Sequence, residues 1–187
     1  MISDEVVEHY QRLWGAPSRT ARFRKGEHTV YIHKWDKTTH PDEVYFYATA
    51  GASNQPVPGI DPLHRFEIFI GFTAEVDDIA STLASTALDP VLHGSSLQHG
   101  HSITYPEPLW PGTGMNTILL VQQTEDEIVP RIQATNGKPH VEFMQLMPLF
   151  PSEVVYRRKH GTEGLLEMWS EKRVPYWNPH RQPEPRG

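Results

Sequence analysis

The chain has 187 residues and a formal net charge of −6 at pH 7, from 17 Lys and Arg against 23 Asp and Glu, so it lacks the basic surface that binds nucleic acid or an anionic membrane. It contains no cysteine, which excludes a disulfide framework, a thiolate metal site and a cysteine nucleophile. Because no apolar run approaches the roughly 18 residues of a membrane-spanning helix, and the residues after Met1 are acidic rather than basic, we expect a cytoplasmic protein.

The first half of the chain predicts one helix and then three strands. Ser3 can cap a helix whose apolar residues recur every three or four positions up to Trp14, and Gly15 ends it. Three runs rich in β-branched and aromatic residues then predict strands, the last of them with mainly one face buried. These runs are 29–35, 44–49 and 66–72.

The second half predicts a helix, a pair of buried strands and two further helices. An apolar stripe from Val76 to Ala87 predicts a helix that ends at Pro90. The runs 118–121 and 141–147 are apolar on both faces, which is typical of strands in the middle of a covered sheet. Helices follow on either side of Gly161. Runs of strands, rather than strict alternation with helices, favour an α+β domain with a mixed sheet packed by helices.

The histidines His93, His99 and His101 are the densest group of possible metal ligands. A zinc site needs three or four converging ligands, and no second motif such as His-Glu-x-x-His accompanies them. We therefore interpret them as solvated loop histidines and predict no metal, no cofactor and no catalytic residue. A metal-assisted hydrolase that uses these three histidines stays open as the alternative.

Three aromatic residues stand beside prolines and are candidate anchors for a protein partner. They are Trp110, Tyr176 and Trp177. A large ring on a backbone fixed by proline can bind a partner at low entropic cost, as in the hot spots of protein interfaces. The alternative is that the rings fold back onto their own domain, since large aromatic side chains are mostly buried.

Four stretches together resemble the suppressor of fused family in its bacterial single-domain form. The stretch 49–53 resembles its Thr-x-Gly-Met-Ser turn, 65–68 its Glu-Leu strand, 141–167 its most distinctive segment, and 178–181 its closing Asp-Pro-x-Arg. The chain departs from the pattern at Ala52, Phe150 and Gly164. The residues that carry the motifs are Thr49, Gly51, Ser53, Glu67, Pro148, Glu153, Gly161 and Arg181.

This resemblance implies one domain over residues 1–181 that binds a protein and catalyses no reaction, with 182–187 as a flexible tail. Bacterial members of the family resemble immunity proteins that neutralise secreted polymorphic toxins, and the negative charge would suit a basic toxin. A regulatory subunit that binds another cellular protein is the second alternative. The resemblance also implies that Tyr176 and Trp177 pack against the domain and that Arg181 pairs with a carboxylate.

Overall fold

The fold consists of one seven-stranded sheet and three helices, seen in a computed structural model that describes residues 1–37, 43–123, 128–133 and 137–184. The elements in chain order are α1 (Ile2–Trp14), β1 (Arg19–Lys25), β2 (His28–Trp35), β3 (Tyr45–Ala50), β4 (His64–Phe72), α2 (Ile79–His93), β5 (Ser102–Thr104), β6 (Thr117–Gln122), β7 (His140–Leu149) and α3 (Pro151–Glu171). A short 3₁₀ turn over Ala52–Asn54 follows β3. None of the helices in the described ranges is long and apolar enough to cross a membrane.

The sheet is mixed, in the order β1-β2-β3-β4-β7-β6-β5. Its strands pair antiparallel except β4 and β7, which run parallel at the centre. A parallel pair needs a long crossover connection, and here the chain between the two strands carries α2, β5 and β6. This architecture confirms the predicted α+β class.

Helices cover both faces of the sheet. On one face α2 packs through residues such as Leu83 against Ile68 and Ile70 of β4. On the other face, Tyr10 of α1 packs in one cluster with Trp35 and Phe46, and Trp169 of α3 packs in a second cluster. The second of these clusters also contains Leu119, Met147 and Leu165. β6 and β7 are therefore buried on both sides, as predicted, although β6 lies next to the edge strand β5 and not at the centre of the sheet.

Three sequence predictions differ from the structure in the first half of the chain. α1 begins at Ile2 with Met1 at the capping position, so Ser3 lies inside the helix and is buried. β4 buries both faces rather than one, because Phe69 packs towards α1 while Ile68 and Ile70 pack towards α2. β1 was not predicted, because an exposed edge strand lacks the apolar alternation that marks a buried one.

The helix α2 also differs, since it runs through Pro90 and ends at His93. A proline inside a helix removes one backbone hydrogen bond. For this reason the sequence predicts that the helix ends at Pro90. Pro90 is buried, and its carbonyl oxygen accepts a hydrogen bond of 2.9 Å from the amide of Gly94, which lies in the left-handed region at φ 70°. The burial of Pro90 and the hydrogen-bonded cap at Gly94 thus outweigh the local helix-breaking preference.

Candidate functional site

The motif residues of the first turn meet around one buried carboxylate. Glu67 of β4 accepts hydrogen bonds from Thr49 Oγ1 at 2.6 Å, Gly51 N at 2.9 Å, Ser53 N at 3.0 Å and Ser53 Oγ at 2.6 Å. Burial raises the pKa of Glu67, while these donors act in the opposite direction. Internal donors reach both carboxylate oxygens, so this group ties β3 to β4. Because Glu67 is fully buried, its carboxylate is not accessible to a substrate.

Gly51 closes this turn in a conformation that only glycine adopts readily. Its φ is 128°, in a region where side chains are strained. A Cβ atom added there would lie 2.7 Å from the carbonyl oxygen of Thr29 on the neighbouring strand. Both the backbone angle and the close approach therefore require glycine at this position.

A second buried carboxylate, that of Glu153, binds Arg181 in the segment that follows α3. Glu153, in the first turn of α3, receives Arg181 Nη1 at 2.5 Å on Oε1 and Arg181 Nη2 at 2.8 Å on Oε2. Nη2 also donates to the carbonyl oxygen of Pro148 at 2.9 Å, and the guanidinium lies over the rings of Trp169 and Phe150. The side chains of the pair are 1% and 0% exposed. The expected pairing of Arg181 with a carboxylate is therefore confirmed.

The two tail aromatics lie against the domain, as the resemblance implied. Trp177 packs edge-on against Phe46 at 6.1 Å between ring centroids and covers Gly71, where a Cβ would lie 2.8 Å from Trp177 Cε3. Its carbonyl oxygen accepts a hydrogen bond of 2.8 Å from the amide of Thr73. Tyr176 stacks on Trp169 at 6.4 Å. Both rings remain half-buried, so each still presents surface to solvent.

Trp110 lies in the core, with only 5% of its surface exposed. Its ring packs edge-on against Phe72 at 5.2 Å between centroids. A partner would therefore reach little of this side chain in the observed conformation. The role of Trp110, Tyr176 and Trp177 as partner anchors stays a prediction.

The break between the predicted C-terminal helices lies at Gly161, as expected. α3 is helical on both sides of this residue, whose φ of 79° and ψ of 174° interrupt the helix. Thr162, next in the chain, accepts a hydrogen bond of 3.1 Å from Arg157 Nε on its hydroxyl. Arg157 also donates to Ser102 Oγ at 2.9 Å, so the kink is joined to β5.

The three loop histidines do not converge on a common point. His93 Nδ1 lies 2.8 Å from Asp89, and His99 Nε2 lies 2.8 Å from Glu163. His99 Nδ1 accepts a hydrogen bond from the amide of Gln122 at 3.1 Å, while His101 is exposed. In the part of the chain that the structure describes, these side chains do not form a metal-ligating group. The arrangement that the hydrolase alternative requires is therefore not formed there.

Lys34 is buried and is therefore a candidate nucleophile or base, but two neighbouring carboxylates pair with its charge. Lys34 Nζ lies 2.7 Å from Asp77 and also contacts Glu75. Burial disfavours the ammonium, but the hydrogen bonds and charges of these two carboxylates outweigh burial and raise the pKa of Lys34. A protonated, paired lysine is a poor nucleophile or base, so this cluster stabilises the fold.

The surface that best suits a macromolecular partner is a groove between β1, α2 and β5, which we call the edge groove. Phe23 of β1 and Ile103 of β5 face residues of α2 across a cavity of about 530 Å³. Its lining is Phe23, Arg24, Lys25, Ala84, Ser85, Leu88, Asp89, Leu92, His93, Ile103 and Tyr105. β1 and β5 are the two edges of the sheet, so the sheet curves around α2 and brings both edges to one groove. This surface could not be predicted from the sequence, because β1 is an exposed edge strand without the apolar alternation that marks a buried strand.

A model of the family described as suppressor of fused protein (SUFU) matches residues 26–182. None of the curated proteins matches the chain.

Solved structures that are similar in fold include the following three. A protein from Neisseria gonorrhoeae FA 1090 described as a SUFU homologue is 18% identical, with a TM-score of 0.73 over 97% of this chain and 95% of that one. The structure of a Sufu–Fu complex matches at 15% identity and a TM-score of 0.68, over 96% of this chain and 90% of that one. Drosophila Suppressor of Fused matches at 14% identity and a TM-score of 0.66, over 95% of this chain and 49% of its own length.

Proposed function

The chain belongs to the suppressor of fused family, and we propose that it acts by binding a protein partner and not by catalysing a reaction. The observation that carries this proposal is that a structure of the same fold was solved as a complex, Sufu–Fu. The internal bonding of the motif residues supports it, because the carboxylates of Glu67 and Glu153 are fully buried and bonded to neighbours within the domain.

We propose the edge groove as the binding surface. Its floor is apolar, and within the described sheet β1 and β5 each have only one strand neighbour, which leaves backbone donors and acceptors on their outer edges. A partner segment lying in the groove would bury Phe23, Leu92 and Ile103 while meeting these edges. Apolar contacts would supply affinity, and the backbone groups would fix the orientation of the segment.

The partner that we propose is a secreted bacterial toxin domain, with this chain as its immunity protein in the cytoplasm of the producing cell. A net charge of −6 would speed the approach of a basic toxin to the chain as a whole, and charge-steered association weakens as salt rises. Within the groove, Arg24 and Lys25 would instead meet acidic side chains of the docked segment. A regulatory subunit for another cellular protein remains the alternative partner class. If a neighbouring gene encodes a secreted toxin, coexpression with it separates the two classes, because only an immunity protein restores growth; a gene without such a neighbour argues for the regulatory subunit.

Two exposed leucines allow a matched test of the surface. Leu92 lies in the edge groove and is 38% exposed, whereas Leu63 lies outside the groove lining and is 45% exposed. Leu92→Asp should weaken partner binding at least tenfold in a titration, and Leu63→Asp should leave it unchanged, with both proteins folded by circular dichroism. Equal binding by the two variants would exclude the groove. Loss of binding on Tyr176→Ala alone would instead favour the tail aromatics as anchors.

A further inference from the structure

Two strands that are distant in sequence bring three metal-ligating side chains together at the start of the central parallel pair. In the register of β4 and β7, His64 lies beside His140, and Phe66 lies beside Glu142. Side chains two positions apart on a strand share a face, so His140 and Glu142 face the same side. Parallel pairing places His64 beside them on that side.

The distances within this group are short enough for one ion to join the three side chains. His64 Nδ1 lies 2.6 Å from His140 Nε2, and His64 Nε2 lies 3.8 Å from Glu142 Oε2. One ligand atom from each residue falls within 4.8 Å of the other two. Among the residues that the structure describes, no other three His, Asp or Glu side chains bring their ligand atoms this close together.

We propose that His64, His140 and Glu142 bind a divalent transition metal ion, with Zn²⁺ as the ion that fits best. Two imidazoles and one carboxylate form a donor set that zinc accepts, with a fourth position left for water. Imidazole nitrogens on one tetrahedral zinc lie roughly 3.3 Å apart, since each bond is about 2.1 Å. The His64 and His140 nitrogens would therefore separate by about 0.7 Å from their present 2.6 Å, which side-chain torsions can absorb.

The surroundings supply both access and orientation. His64 and Glu142 side chains are 26% and 18% exposed and line a surface cleft of about 350 Å³ that is open to solvent. Gln122 Nε2 donates to Glu142 Oε2 at 3.3 Å, and Arg131 Nη1 lies 3.9 Å from Glu142 Oε1. The hydrogen bond from Gln122 is of the kind that orients a ligating carboxylate, whereas Arg131 is close enough only for a charge interaction. The ion would join the central parallel strands at their N-terminal ends.

Isothermal titration of the untagged protein with ZnCl₂ tests this assignment. We expect one Zn²⁺ per chain, and we expect His140→Gln and Glu142→Gln each to raise the dissociation constant at least tenfold. The control combines His93→Gln with His101→Gln, two histidines outside this cleft, and should bind as the unaltered chain does. Absence of binding to the unaltered chain would overturn the proposal, as would loss of binding in the control with retention in His140→Gln.

A measurement on the unaltered chain covers the case in which a variant does not fold. In ¹H–¹⁵N spectra of the histidine side chains, Zn²⁺ should shift the ring nitrogens of His64 and His140 and leave those of His93 in place. Co²⁺ in place of Zn²⁺ should give the visible absorption of a tetrahedral site. Shifts confined to other histidines would refute the assignment.

Discussion

Replacement of Arg181 by methionine should cause a large loss of stability, although the residue lies only six positions before Gly187. The substitution removes two hydrogen bonds to Glu153, one to the carbonyl oxygen of Pro148, and the contact of the guanidinium with the Trp169 ring. It also leaves the Glu153 carboxylate, which is 0% exposed, without its cation. Breaking one partner from a buried ion pair costs about 3–5 kcal/mol.

That cost corresponds to a melting temperature lower by about 6–20 °C for a chain of this size. Chemical unfolding followed by tryptophan fluorescence and by circular dichroism would measure the free energy of unfolding. Arg158→Met, at an exposed position on α3, the helix that carries Glu153, is the matched control and should stay within about 0.5 kcal/mol of the unaltered chain.

A double variant distinguishes the free-energy cost of leaving the Glu153 charge unpaired from the cost of losing the packing of Arg181. Arg181→Met combined with Glu153→Gln should be more stable than Arg181→Met alone, because the glutamine leaves no uncompensated charge in the core. It can still accept the hydrogen bond that Phe150 N makes to Glu153 at 2.8 Å. The reasoning is refuted if Arg181→Met unfolds at the same denaturant concentration as the Arg158→Met control.

Three further predictions concern the turn, the tail and one histidine. Gly51→Val should destabilise by at least 1–3 kcal/mol, because it combines a strained φ with overlap on Thr29 O; an unchanged melting temperature with lost partner binding would instead place the turn in the interface. Truncation after Val174 should lower the free energy of unfolding by several kcal/mol through loss of the docked tail, and equal melting of the two lengths would show that the tail is not docked. Burial lowers the pKa of His33, so the folded state favours the neutral imidazole. The contribution of neutral His33 to stability is therefore complete above about pH 6.5 and is lost as the pH falls through the lowered pKa. His33→Gln should flatten this loss in unfolding curves from pH 7.5 to 5, and an equally steep loss in the variant would contradict the assignment.

The family motifs could be read from the sequence, but the reason for them could not. Thr49, Gly51 and Glu67 stand in separate stretches, and only the pairing of β3 with β4 shows that one carboxylate receives the hydrogen bonds of the whole turn. The same holds for Glu153 and Arg181, which are 28 positions apart. A resemblance identifies such residues as a set, whereas the hydrogen-bond partners depend on the tertiary fold.

The sequence by itself determined the α+β class, the positions of most helices and strands, and the burial of β6 and β7 on both faces. Those features follow from local periodicity, because each residue's face depends on its neighbours along the chain. Tertiary structure decided the edge strand β1, the continuation of α2 through Pro90, and the edge groove. It also brought together His64 and His140, which are 76 positions apart. Strand register and edge position depend on which distant segments pair, and no local pattern along this chain encodes that choice.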